Sequence, residues 1–302
     1  MDDNLFEKRD SEKRLKAVLV GVVLQNDKRS EIEESLEELE RLLDTAGGDC
    51  AAIMIQSRTV PDAATYIGSG KIGELKELCK NNSAELVVFD GELSPSQIKN
   101  LEADTDVRVI DRSMLILDIF ALHAVTNEGK LQVELAQLKY TIPRLTGKGK
   151  ELSRLGGGIG TRGPGESKLE TDRRHILRRI AALEEELREV EQNRSTQRRA
   201  RERAAVFGVA IAGYTNAGKS TLLNKLTDAG ILAENKLFAT LDPTTRRYRL
   251  PSGTEILLTD TVGFIKKLPH HLVNAFRSTL EEAVYADIIM LLLDASDPEC
   301  AS

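Results

Sequence analysis

Along residues 1–127, short apolar runs alternate with amphipathic stretches. The apolar runs at 17–24, 51–56, 86–89 and 107–110 predict strands. Between the first two, Ile32, Leu36, Leu39, Leu42 and Leu43 recur at helical spacing, so a helix is expected over 30–46, ended by Gly47 and Gly48. Further helices are expected over 70–80, 94–103 and 113–124. Strands and helices in this order predict an N-terminal α/β domain over 1–127 with a parallel or largely parallel sheet.

At Glu128 the pattern changes. Leu131, Leu135 and Leu138 predict a helix over 130–140, with Pro143 at or near its end. Residues 147–165 are dense in glycine and poor in apolar anchors, which predicts a long loop. Residues 166–203 are rich in Glu, Arg, Leu and Ala without proline or glycine, and read as one long helix pairing with the earlier one. A helical hairpin with a glycine-rich tip is thus expected over 128–203. A third domain over 204–302 begins with a strand at 206–212, then glycine, then a helix at 221–227.

Composition places few limits. With 41% hydrophobic residues among 302, the chain can bury sizeable cores. Its longest apolar runs, such as 288–293, fall far short of the ~20 residues that span a bilayer. Residues 1–16 are polar and mixed in charge, unlike a signal peptide, so a cytoplasmic address is expected, with peripheral membrane association left open. Cys50, Cys79 and Cys300 are scattered and read as reduced thiols, and His123, His175, His270 and His271 form no ligand cluster.

Charge is more informative by its placement. The net charge is −6, yet residues 128–203 hold 18 Lys and Arg against 12 Asp and Glu, and within 139–179 the counts are 11 and 4. Lys148, Lys150, Arg154, Arg162, Lys168, Arg173 and Arg174 gather around the glycine-rich tip. Cations on a pliable backbone suit RNA phosphates, and the scarcity of aromatics points to backbone and shape contacts rather than base stacking. A solvated charged hairpin is the competing reading.

The strongest chemical signal follows the strand at 206–212. Gly213, Tyr214, Thr215, Asn216, Ala217, Gly218, Lys219 and Ser220, with Thr221 behind them, match G-x-x-x-x-G-K-[ST] without departure. The backbone N–H groups of such a loop converge on phosphates at a helix N-terminus. Lys219 is expected on the β- and γ-phosphates and the Ser220 hydroxyl on Mg²⁺. A strand at 256–260 then ends in Asp260, Thr261, Val262 and Gly263, a D-x-x-G motif. Asp260 is expected to hold Mg²⁺ through a water, and the Gly263 N–H to touch the γ-phosphate. Between the two motifs, Phe238, Ala239, Thr240, Leu241 and Asp242 occupy the place of a switch loop that supplies a threonine to the metal. Thr240 is the first choice for that threonine, with Thr244 and Thr245 as competitors.

Two neighbours refine this. Phe264 follows Gly263, where Ras-like enzymes carry the glutamine that orients the attacking water, so slow unstimulated turnover is expected. Asn216 sits where a group of similar GTPases coordinates K⁺; an Asn tolerating an unusual backbone angle is the alternative. The loop at 160–167 repeats the P-loop spacing with Glu166 in place of lysine, and a carboxylate there would repel phosphate.

Together, the motifs at 213–221, 237–246 and 260–265, preceded by the glycine-rich segment 156–166, resemble the HflX family of ribosome-associated GTPases over nearly the whole chain. The resemblance implies GTP and GDP as ligands, Thr240 as the switch threonine, and the large ribosomal subunit with its rRNA as partner. It further implies a role in splitting or rescuing stalled ribosomes. The expected fold class is α/β: an N-terminal α/β domain, a helical hairpin with a glycine-rich loop, and a partial P-loop GTPase domain, acting as a monomer. No N-K-x-D motif is present, so guanine preference rests on the resemblance. A C-terminally truncated G domain with weak nucleotide binding is the corresponding expectation. An RNA- or ribosome-binding factor without turnover and a P-loop ATPase remain as alternatives.

Overall fold

A computed structural model of the chain describes residues 14–145, 164–203, 206–227, 236–238, 241–267 and 282–296. The first sheet is built from β1 (Leu15–Val23), β2 (Gly48–Ser57), β3 (Leu86–Phe89) and β4 (Arg108–Asp111) in the order β2-β1-β3-β4. Every pairing in it is parallel. The crossovers are α1 (Arg29–Thr45), α2 (Ser69–Asn82) and α3 (Pro95–Thr105). They are followed by α4 (Arg112–His123), α5 (Asn127–Leu145) and α6 (Pro164–Arg203). Pro143 lies within the last turn of α5 and, lacking an N–H, cannot make the helical hydrogen bond there.

β1 is buried along nearly its full length, as a central strand covered on both faces must be. Val18, Val20 and Val22 point into one core with Leu75, Cys79, Phe89 and Leu101. The predicted apolar stripe of α1, Ile32, Leu36, Leu39, Leu42 and Leu43, is buried throughout. α3 starts with a capping box, the Ser94 hydroxyl accepting from Gln97 N and the Gln97 side chain accepting from Ser94 N.

This part of the chain also contains a buried ionic cluster that periodicity cannot foretell. Arg112, 2% exposed, pairs with Asp90 at 2.7 Å and with Glu38, and the Ser35 hydroxyl donates to Asp90. Asp111, fully buried, accepts from Leu93 N, Met114 N and the Tyr140 hydroxyl, the last at 2.6 Å.

The second sheet has the order β6-β7-β5-β8, formed by β5 (Phe207–Gly213), β6 (Thr244–Arg249), β7 (Glu255–Asp260) and β8 (Ile288–Leu292). β5, β7 and β8 are parallel, and β6 runs antiparallel on β7. α7 (Lys219–Thr227) follows β5. Val209, Ile211, Leu223 and Leu258 form the core beneath. On β8, Ile288, Ile289, Met290 and Leu291 are exposed. By packing, Met1–Ile119 and Gln137–Ala182 form one unit, and Phe120–Ala136 and Leu183–Ser302 the other.

Candidate phosphate and metal site

β5 delivers the chain to the P-loop at Gly213, and α7 starts at Lys219, so the intervening residues turn the backbone across the strand end. Asn216 and Gly218 take left-handed φ angles of 64° and 88°, respectively. Both residue types suit that region. Lys219 is buried and its Nζ donates to the Tyr214 carbonyl at 2.6 Å, which folds the side chain back over the loop. Burial pushes its ammonium below the ordinary lysine range, and Asp260 opposes that shift.

β7 runs parallel to β5 and brings Asp260 to the start of α7, where the Ser220 hydroxyl donates to its carboxylate at 2.6 Å. Beyond β7 the chain stays against the P-loop. Thr215 N donates to the Phe264 carbonyl at 2.8 Å and Phe264 N to the Gly213 carbonyl at 3.0 Å. The Thr261 hydroxyl donates to Ile211 O, and Val262 is buried. Gly263 lies so close that an ideal Cβ there would stand 2.7 Å from Lys219 Nζ and 2.5 Å from Thr215 Cα. The D-x-x-G segment, Lys219 and Ser220 therefore converge on one spot. The Phe264 side chain is half exposed and has no donor or acceptor with which to orient water.

Of the switch residues, Phe238, Leu241 and Asp242 are described, and Ala239 and Thr240 lie outside the described residues. Phe238 and Leu241 are buried. Thr244 and Thr245 belong to β6, and the Thr245 hydroxyl shares a hydrogen bond with that of Thr259 at 2.9 Å. Strand pairing sets Thr244 opposite Asp260 and Thr245 opposite Thr259. Periodicity missed β6 because its sequence, TTRRYR, holds one apolar side chain, Tyr248.

Among the basic residues, Arg173 and Arg174 are exposed on α6, whose buried positions among the described side chains are Ile176, Ile180 and Leu183. Lys148, Lys150, Arg154 and Arg162, and the Lys168 side chain, lie outside the described residues, as does the 160–163 part of the loop with P-loop spacing. Among the described residues no group of three or more His, Cys, Asp or Glu forms a metal cluster, and no helix is long and apolar enough to cross a membrane.

A P-loop between a parallel strand and a helix, facing a D-x-x-G segment at the end of the adjoining strand, is the phosphate half of a P-loop GTPase domain. Residues 208–301 match the family described as 50S ribosome-binding GTPase, residues 33–121 the N-terminal region of GTP-binding GTPases, and residues 123–201 their middle region. GTPase HflX of Lacrimispora saccharolytica is 56% identical over 98% of this chain and 69% of its own length. GTPase HflX of Caldanaerobacter subterraneus is 56% identical over 96% of this chain and 66% of its own. The chain belongs to the HflX family of GTPases, a family of GTP hydrolases, and spans about two thirds of the length of these relatives. Its fold is similar to that of a GTP-binding protein from the archaeon Sulfolobus solfataricus solved in complex with GDP, with 28% identity, a TM-score of 0.50, and coverage of 94% of this chain and 72% of that one.

Proposed function

We propose that this protein hydrolyses GTP at the P-loop with Mg²⁺ and acts as a monomer on the large ribosomal subunit, helping to split or rescue stalled ribosomes. The reading rests on the convergence of Lys219, Ser220, Asp260 and Gly263 at one point. The donors suit magnesium: a hydroxyl and a carboxylate 2.6 Å apart leave most of an octahedral shell to waters and phosphate oxygens. When bound, the ion neutralises charge building on those oxygens.

The chain's own residues supply the rest. The backbone N–H groups from Asn216 to Thr221 cradle the phosphates, and Lys219 sits across the β- and γ-positions. Ser220, Asp260 and the switch threonine Thr240 would hold the metal. Asn216 stands where a potassium ion would add charge beside the phosphates. Because Phe264 cannot orient water, turnover is slow until a partner completes the site. The partner reading is supported by the description of the family matching 208–301 and by the basic residues around the hairpin tip, with Arg173 and Arg174 exposed.

The test is GTP hydrolysis by the full-length protein with and without purified large subunits, in potassium and in sodium. Stimulation of at least about tenfold by subunits, greater in potassium, is expected. Equal rates with and without subunits would contradict the ribosomal role.

A further inference from the structure

The P-loop motif leaves position 214 open to any residue, so it gives no reason for a tyrosine there. Burial gives little reason either, since Tyr214 is 37% exposed. Both of its oxygens are engaged, with different parts of the site. The Tyr214 carbonyl accepts from Lys219 Nζ at 2.6 Å, and the Tyr214 hydroxyl accepts from Lys266 N at 2.8 Å. One residue thus ties the lysine of the P-loop to the segment that follows the D-x-x-G motif.

That segment is held at three places. Thr215 N donates to the Phe264 carbonyl, Phe264 N to the Gly213 carbonyl, and Lys266 N to the Tyr214 hydroxyl. The first two flank a parallel bridge between Tyr214 and Phe264 and are backbone pairing, which does not depend on the side chain at 214. The third is the one of the three that a side chain makes. It falls just before Lys267, whose φ of 54° is a left-handed backbone that a lysine keeps only when its surroundings hold it there. Apolar packing of the segment is limited: Ile265 is buried, whereas the side chains of Phe264 and Lys266 are exposed.

Gly263 stands at the other end of this clamp. Its ideal Cβ would lie 2.7 Å from both Lys219 Nζ and Thr215 N, so its backbone rests directly against the lysine and the loop. Lys266 is three residues further on, within about 10 Å of extended chain, so what holds residue 266 limits where Gly263 can go.

We infer that Tyr214 is a positioning residue for Gly263: its hydroxyl, by holding the Lys266 amide, keeps residues 263–266 seated on the P-loop beside Lys219. The inference rests on the proposed hydrolytic site, in which the Gly263 N–H meets the γ-phosphate.

The test uses Tyr214→Phe, which removes one oxygen and keeps the ring and the backbone carbonyl, with Gly263→Ala as the reference, both in the full-length protein. Hydrogen exchange of the Thr215, Phe264 and Lys266 amides is followed without nucleotide. Dissociation constants are measured with Mg²⁺ for GDP and for a non-hydrolysable GTP analogue. In Tyr214→Phe, exchange at all three amides should rise about fivefold and analogue binding should weaken by about the same factor, with GDP held within about twofold. A hydroxyl that only stabilises the fold would leave the ratio of the two affinities unchanged. Faster exchange at Lys266 alone, or no faster exchange there, overturns the inference. Equal weakening of both nucleotides overturns it too, as does a ratio shifted toward the analogue. A ratio lowered in Gly263→Ala but not in Tyr214→Phe overturns the inference and leaves the hydrolytic site standing. A ratio unchanged in Gly263→Ala removes the γ-phosphate contact of Gly263 itself, and this inference with it.

Discussion

Replacing Gly263 by alanine adds one carbon where the structure has no room for it. An ideal Cβ at residue 263 stands 2.5 Å from Thr215 Cα and 2.7 Å from both Thr215 N and Lys219 Nζ. Carbon atoms rest about 3.5–4.0 Å apart, so the segment must retreat from the P-loop by about 1 Å. Two hydrogen bonds depend on its present place, from Thr215 N to Phe264 O at 2.8 Å and from Phe264 N to Gly213 O at 3.0 Å. At about 1 kcal/mol net for each, the docked segment loses about 2 kcal/mol, a shift of roughly thirtyfold in its population. The residue 263 N–H then no longer meets the γ-phosphate, whereas the amides from Asn216 to Thr221 are untouched. Titration of GDP and of a non-hydrolysable GTP analogue, with single-turnover hydrolysis, separates the two effects. Binding of the analogue should weaken by about thirtyfold and hydrolysis by at least as much, with GDP affinity nearly unchanged. Hydrolysis by Gly263→Ala at the unsubstituted rate would refute the reasoning.

Other predictions concern the first unit. Arg112→Met leaves Asp90 and Glu38 as buried carboxylates without their cation and should cost about 3–5 kcal/mol in urea unfolding; a loss below about 1 kcal/mol would mean the cluster is not the anchor described. Tyr140 gives a pH dependence. Burial, and after it Asp111, raises its hydroxyl above the ordinary value of 10.0. Above about pH 10 the unfolded chain releases this proton while the folded one keeps it, so stability falls as pH rises, and below that pH the term is constant. The alkaline decline should be shallower in Tyr140→Phe, and equal slopes would contradict the assignment. Cys79, buried and pushed up to about 11 by desolvation, should react with thiol reagents at neutral pH only as fast as the chain opens.

The sequence carried its clearest signals where the determinants are local. The strands of the first sheet were foreseen to within a few residues because each is a continuous apolar run, and α1 because its five apolar positions keep helical spacing. The P-loop was legible because its glycines, lysine and serine lie within eight consecutive positions. What was not legible joins residues far apart in the chain. Arg112 meets Glu38 across 74 positions, and Thr126 meets Asp242 across 116. No spacing rule reaches that far, since each partner reads locally as an ordinary surface charge or cap. β6 escaped for the opposite reason: its position beside β7 comes from backbone pairing, and its side chains leave almost no apolar pattern. The leucine stripe puts the start of α5 three residues late because the cap at Thr126 precedes its first leucine.

The central claim is that Gly213–Ser220 binds and turns over the phosphates of a nucleotide with Mg²⁺. Its most direct test is phosphate release from GTP by the full-length protein and by Lys219→Ala, each with and without Mg²⁺ and with large ribosomal subunits present. Mg²⁺-dependent release that falls by about a hundredfold or more in Lys219→Ala is the predicted result. Release that persists in Lys219→Ala, or that is indifferent to Mg²⁺, would contradict the account.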